Sequence, residues 1–465
     1  MTRSLALPSR IALAVALAAT LSACDFFGSK EDATTEEIFE QGQTDPTFVD
    51  DVGYVPLEPA YQQGFTGAFS APVDVAVGYD ELLYVADDAG LHVLDLAGRP
   101  RFLLSEIPAF EDNVGPDTTR GTADDIPVPA QPLRGITAVT QDRRFDVYVA
   151  ARRDTTVAGA NCPSPGGAEQ CDLAVVYRIR GLTSGNPRVV DILWHPFDDG
   201  SRAGSSQTSF PDVYSTGASD EDASFSGVAT LTDNTLYVTR RGPVNSTATG
   251  RPSQSFSPFN AFLQFTNTGR YVQYIRALSP DRPSLLSAYW PSDVLTFTGP
   301  PQRADAPFSE DFMIAQAPPP GEAQPEYGVV SVRVVQTTDG VDYQVDSPRL
   351  GAAGNPDAGD GALFESFQFE RVSSLAFAPD QTGYIFALDA GKDSLFVFNR
   401  LGIEGVTPPP GAGSTRPVRV SFGGSGGSPL EFNNPQGVAY FDRVVYVADT
   451  GNNRISRFRL NTDFE

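Results

Sequence analysis

One phrase of apolar and polar positions recurs six times along this chain. A short, almost wholly apolar run containing a small residue is followed by a turn, then by an apolar-aromatic run that ends on a polar residue. The second run reads Leu83-Tyr84-Val85-Ala86-Asp87, Val147-Tyr148-Val149-Ala150-Ala151, Leu236-Tyr237-Val238-Thr239-Arg240, Phe312-Met313-Ile314-Ala315-Gln316, Ile385-Phe386-Ala387-Leu388-Asp389 and Val445-Tyr446-Val447-Ala448-Asp449. Its centres are 60 to 89 residues apart. Runs at 73–77, 136–139, 228–231, 294–297, 375–378 and 438–441 are nearly all apolar, as strands walled on both faces must be. Downstream, 91–95, 174–179, 262–265 and 395–398 alternate more cleanly and predict strands with one wet face. Outer strands are expected at 101–104, 189–194, 271–275, 342–346 and 416–422. Six such units predict a closed ring of small sheets.

The last unit carries the most specific wording. Asn434-Pro435-Gln436-Gly437-Val438-Ala439-Tyr440, followed by Val444 to Ala448 and Asp449-Thr450-Gly451-Asn452-Asn453-Arg454-Ile455, resembles an NHL repeat, the unit of one β-propeller blade. The resemblance implies an all-β fold, a six-bladed β-propeller of four-stranded antiparallel blades. It fades upstream and is weakest at Phe312-Met313-Ile314, which lacks the usual aromatic and Asp. Spacings beyond the roughly 40 to 50 residues of compact blades place insertions between strands. The sixth unit has no outer strand after it, so a segment within 48–65 is expected to supply one and remove the free edge.

The two ends differ from this body. Arg3 and Arg10, an apolar stretch at 11–21 too short to span a bilayer, and Leu21-Ser22-Ala23-Cys24 match a bacterial lipoprotein signal, cleaved before Cys24 and acylated on its sulfur. Residues 1–23 are then a signal peptide and 24–51 an acidic disordered tether, leaving 52–465 for the propeller. The expected location is the cell envelope, lipid-anchored and outside the cytoplasm. Asp25 resembles an inner-membrane retention signal and Lys30-Glu31-Asp32 a surface-export signal, which point to different membranes. A formal charge of −25, with Lys30 and Lys392 the only lysines, argues against nucleic acid or anionic lipid as partner. The same excess fits either a saline habitat or a genome that prefers arginine. Cys162 and Cys171 lie in one Pro- and Gly-rich loop and are expected to form a local disulfide.

Seven long insertions, 154–171, 241–260, 317–327, 105–132, 196–226, 279–291 and 351–370, join second to third or outer to inner strands, and all open on one face. Only 299–310 and 401–415 open on the other. Long loops unneeded for closure are where binding concentrates, so the decorated face is the expected binding face. At its mouth stand Asp87, Asp389 and Asp449 on one side and Arg152, Arg240 and Arg241 on the other, with each Asp also suited to bracing the turn after it.

Candidate chemistry is sparse. Similar propellers include metal-dependent lactonases and lyases with acidic, amide or histidine ligands around the channel. Here the residues opening the inner strands read Asp74, Gly135, Gly227, Asp293, Ser374 and Gly437, which leaves Asp74 and Asp293 as channel candidates. Gly423-Gly424-Ser425-Gly426-Gly427 has the letters of a nucleophile elbow without the following helix. In the first insertion Asp112, Asp117, Asp124 and Asp125 offer hard oxygen ligands among glycines, a possible calcium loop whose spacing is not that of an EF-hand. The reading is a monomeric, membrane-anchored binding or scaffolding propeller that recognises a protein or a polymer such as a glycan. The alternative is a propeller enzyme of lactonase or lyase type working at the channel mouth.

Overall fold

The computed structural model describes residues 52–112, 126–156, 170–194, 223–242, 260–278, 284–300, 309–353, 361–408 and 416–464. Six four-stranded antiparallel sheets follow one another, each inner strand packed on the next and the sixth on the first. From inner to outer strand, blade 1 is Asp74–Val77, Leu82–Asp87, Gly90–Asp95 and Pro100–Leu104. Blade 2 is Arg134–Gln141, Val147–Thr156, Gln170–Arg180 and Arg188–Trp194; blade 3 is Ser224–Thr230, Leu236–Arg241, Ala261–Phe265 and Tyr271–Tyr274. Blade 4 is Pro291–Thr296, Phe312–Gln316, Val329–Thr337 and Gly340–Val345; blade 5 is Val372–Phe377, Ile385–Asp389, Ser394–Phe398 and Phe422–Gly423. Blade 6 takes Gly437–Phe441, Val444–Asp449 and Arg454–Leu460 from the C-terminus and Tyr54–Pro56 from the N-terminal side. That last strand pairs Tyr54 with Leu460 and Pro56 with Phe458 and closes the ring.

The central residue of each recurring second run, aromatic in five blades and Met in blade 4, marks the core of its blade. Tyr84, Tyr148, Tyr237, Met313, Phe386 and Tyr446 are all buried. Burying a side chain of this size contributes on the order of 2 kcal/mol relative to exposure. Between blades the fit is aromatic as well: Phe262 and Phe312 stack with centroids 4.4 Å apart, and Tyr237 lies 4.7 Å from Phe312.

Two strand expectations fail. The third strands of blades 1 and 2 were expected to keep one wet face, yet 91–95 and 174–179 are buried throughout. Leu91 and Val93 pack with Ile136, Val139 and Val147 of blade 2, while Leu94 packs with Ala439, Phe441 and Tyr446 of blade 6, so both faces are covered by neighbours. The outer strand expected at 416–422 shrinks to Phe422–Gly423. Pro417 lacks a ladder donor, and its neighbour Val418 instead bridges Val406.

The insertions extend the decorated face. The second and third strands of blade 2 stay paired from Val147–Ile179 out to Thr156–Gln170, a hairpin longer than the blade needs. Within 105–132, Glu106–Ile107 pairs with Gln131–Pro132, and Phe110–Asp112 with Ile126–Val128.

Candidate functional site

Register along the second strands fixes which residue opens each inner strand to the channel. The six positions are Asp74, Ala138, Gly227, Asp293, Ser374 and Gly437, paired with Ala86, Ala150, Thr239, Ala315, Leu388 and Ala448. Ala138 replaces the expected Gly135, because an irregularity between Arg134 and Ala138 shifts the strand. The order Asp, small, Gly is thus written twice around the ring. It has a steric reason. A Cβ on Gly437 would lie 2.7 Å from the Asp74 Cα, and one on Gly227 would lie 2.7 Å from the Asp293 Cα.

Each channel aspartate ties its blade to the next. Asp74 Oδ1 accepts the Val75 N–H at 2.8 Å and Oδ2 the Val139 N–H of blade 2 at 2.7 Å. Asp293 Oδ1 accepts the Val294 N–H at 2.7 Å, and Oδ2 accepts Leu375 N–H and Ser374 Oγ–H of blade 5, both at 2.9 Å. These oxygens are committed to the wall. Burial, then the charge of Asp293, holds the Asp74 carboxyl well above the usual carboxylate range. Burial pushes Asp293 up to about 6.

A consequence in pH follows. Between its ordinary value of 3.8 and about 6, Asp293 holds its proton in the native state and has lost it in the unfolded chain. Its contribution is therefore fully present below the unfolded value and is lost as pH rises through about 6, by about 3 kcal/mol. We expect the stability of Asp293→Asn relative to wild type to improve by about that amount from pH 4 to pH 7, in denaturant titrations at each pH. Any fixed penalty of the amide is common to all pH values, and a difference flat in pH would show an ordinary carboxylate.

At the decorated end of the second strands one position does the same work in four blades. Asp87 accepts the N–H groups of Ser70 and Ala89, and Asp389 those of Glu370, Arg371, Gly391 and Lys392. Asp449 accepts from Asn433 N–H, the Asn452 amide and the Arg454 guanidinium. In blade 4 the position is Gln316, which sequence reasoning passed over. Its Oε1 accepts the Tyr289 N–H at 2.6 Å while its Nε2 donates to the Tyr327 carbonyl at 2.7 Å. An amide can accept and donate at once, so it replaces the expected carboxylate and clamps two loops together.

Asp87, Asp389, Asp449 and Arg240 are buried at 4% exposure or less, so they frame the mouth from within. Burial raises the Asp87 carboxyl, but the adjacent His92 and the two N–H groups outweigh it and hold it low. At Asp449 burial wins and the carboxyl is raised. His92 Nδ1 accepts the Phe65 N–H at 3.0 Å, and Nε2 lies 3.0 Å from Asp87 Oδ1, poorly aligned for a hydrogen bond. This dyad is closed to solvent and serves packing. Arg152 is half-buried, donating to the Ala223 carbonyl at 2.6 Å and lying 3.4 Å from Asp172. Arg241 is half-buried at the mouth; burial, then the charge of Arg371, lowers its pKa.

Above blade 4 the decorated face opens a cleft of about 750 Å³ between residues 284–290 and 316–327. Its lining includes Tyr289, Tyr327, Gln324, Glu322 and Glu326 and, among the described residues, no lysine or arginine. Beside it, Ser366 Oγ–H donates to Glu326 Oε1 at 3.0 Å and Phe367 N–H to the Glu326 carbonyl at 2.7 Å. Phe367 is 61% exposed at φ 60°, a left-handed backbone that costs a bulky side chain about 1–2 kcal/mol. A second cleft, of about 420 Å³, is lined by Tyr54, Asp380, Thr382, Tyr384, Tyr440 and Arg443. Its polar groups are largely paired, Tyr440 with Asp380 at 2.5 Å and Arg443 with Asp463 at 3.2 Å.

Cys24, Cys162, Asp117, Asp124 and Asp125 lie outside the described residues. For Asp112 and Cys171 only the backbone is described, in strands paired at Ile126 and Thr155. Among the described residues no three His, Cys, Asp or Glu gather closely enough to hold a metal ion. No described helix is long and apolar enough to cross a membrane.

Residues 432–458 match the NHL repeat model. No curated protein matches the chain. Among solved structures it is similar to an auxiliary nutrient binding protein from Bacteroides thetaiotaomicron, with 8% identity, 89% of this chain and 78% of that chain covered, and a TM-score of 0.44. It is also similar to a gluconolactonase from Xanthomonas campestris, with 10% identity, 89% and 90% covered, and a TM-score of 0.41. A third is a streptogramin B lyase, at 11% identity, 88% and 98% covered, and a TM-score of 0.37.

Proposed function

We propose that this six-bladed propeller with an NHL repeat in its last blade is a non-catalytic binding protein of the cell envelope, anchored through lipid on Cys24. Its decorated face takes an extended glycan or similar polymer into the cleft of blade 4. The cleft carries this reading. Tyr289 and Tyr327 offer aromatic faces, while Glu322, Glu326 and Gln324 offer acceptors to a ligand rich in hydroxyl donors. The clamp at Gln316 fixes both walls before any ligand arrives, which lowers the ordering cost of binding. Catalysis at the channel has less support, because the carboxylates of Asp74 and Asp293 are already held by backbone and hydroxyl donors.

The test is capture of neutral oligosaccharides and envelope polymers by the full-length protein. Tyr289→Ala with Tyr327→Ala is expected to weaken capture at least tenfold in protein that still unfolds cooperatively, whereas removing 409–415, which the sequence pattern assigns to the other face, leaves it intact. Cys24→Ser is expected to shift the protein from the membrane to the soluble fraction without loss of capture. Capture that survives the tyrosine changes, or vanishes with 409–415, overturns the face assignment.

A further inference from the structure

We propose that Arg241 and Arg371 form an oxyanion-binding site at the mouth of the central channel, on the decorated face. Arg241 ends the second strand of blade 3, opposite Ser224 at the start of that blade's inner strand. Arg371 immediately precedes the inner strand of blade 5. Its backbone is pinned, its N–H donating to Asp389 Oδ1 and its carbonyl accepting from Ala390, both at 2.9 Å. Strand direction brings both residues to the same end of the ring, from the two blades that flank blade 4.

Neither guanidinium is paired with a carboxylate among the described residues, and Arg371 Nε is enclosed with no acceptor. Several other arginines of the ring are held by carboxylates. Arg178 lies 2.6 Å from Asp146, Arg144 2.7 Å from Asp142 and Arg454 2.8 Å from Asp449. With 58 acidic residues against 33 basic ones, two half-buried arginines at the same end of the ring, each without an acid and near enough for the charge of Arg371 to act on Arg241, stand out. The nearby acids do not serve them. Asp389 is taken by four backbone N–H groups, and Asp293 by Val294, Ser374 and Leu375. A guanidinium nitrogen enclosed without an acceptor, as Arg371 Nε is, has lost its water and gained nothing in return. An anion seated between the two would supply acceptors and cancel their repulsion. Guanidinium forks match carboxylate, phosphate and sulfate alike, so the ligand is an oxyanion, free or as the acidic group of a larger molecule. Neither arginine lines the cleft of blade 4, which keeps the two sites experimentally separate.

The experiment titrates full-length protein with inorganic sulfate, inorganic phosphate and D-glucuronate, at ionic strength held constant with chloride, following heat of binding and melting temperature. Saturable binding of at least one oxyanion is expected, weakened tenfold or more in Arg241→Gln and in Arg371→Gln but not in Tyr289→Ala. A response to glucuronate alone identifies a carboxylate-bearing ligand, and a response to phosphate or sulfate a tetrahedral one; either supports the site. Both Gln variants are expected to melt no lower than wild type, since each removes an uncompensated charge. Absence of binding beyond chloride, binding unchanged in both Gln variants, or a marked fall in their melting temperature overturns the proposal.

Discussion

A chain beginning at Gln62 is expected to lose the soluble folded state. It lacks the Tyr54–Pro56 strand, the paired backbone bonds between Tyr61 and Ile455, and the seat of Arg457, which donates to Tyr61 Oη at 2.8 Å with its guanidinium 3.9 Å from the ring centroid. Tyr54 and Tyr61 are both buried, and losing each is on the order of 3 kcal/mol, a large part of the roughly 5–15 kcal/mol that holds a domain together. The loss also bares Arg454–Leu460 as an unpaired edge, a template for association between copies. Size-exclusion chromatography should show aggregate, and a synthetic peptide of residues 52–62 should restore part of the monomer. A truncated chain that stays monomeric with an unchanged melting temperature would show that closure does not depend on this segment.

Arg454→Ala is expected to lower stability by about 3–5 kcal/mol, read as a shifted denaturant midpoint at unchanged slope. Its guanidinium donates to Asp449 at 2.8 Å and to the carbonyls of Gly427, Ser428 and Glu431 at 2.8 to 2.9 Å. Truncation leaves Asp449 buried without its cation and three carbonyls without a donor. Replacing both residues by apolar ones of similar volume should cost less than the single change, because no lone charge then remains. A loss below about 1 kcal/mol for Arg454→Ala would mean that solvent replaces the side chain, as it does at exposed pairs.

Much of the ring was legible because its strands are short, apolar and repeated, and the phrase around Tyr446 can be traced back to Tyr84. The turn-bracing role of Asp87, Asp389 and Asp449 was readable for the same reason: a carboxylate after a buried strand has few partners besides the next turn. Gln316 was not, since a search tuned to Asp discards an amide that satisfies the same donors. The loops hid more. Periodicity reports burial within a strand, and says nothing of two insertions 30 residues apart meeting as walls of one cleft, as 284–290 and 316–327 do. Nor could spacing separate Arg240, fully buried, from its neighbour Arg241 at the mouth.

The twice-written order of Asp, small residue and glycine at the channel wall has a consequence for how such a ring can change size. Each Asp needs a glycine on one side to make room and a free N–H on the other to hold its second oxygen. Deleting or inserting a single blade would break that order somewhere around the circle, setting a side chain against a backbone that leaves no space for it. Gain or loss of three blades at once would keep every neighbour matched. The hub therefore behaves as two interlocked arcs, and its blade number is protected by the side chains at its centre as well as by the strand that fastens its rim.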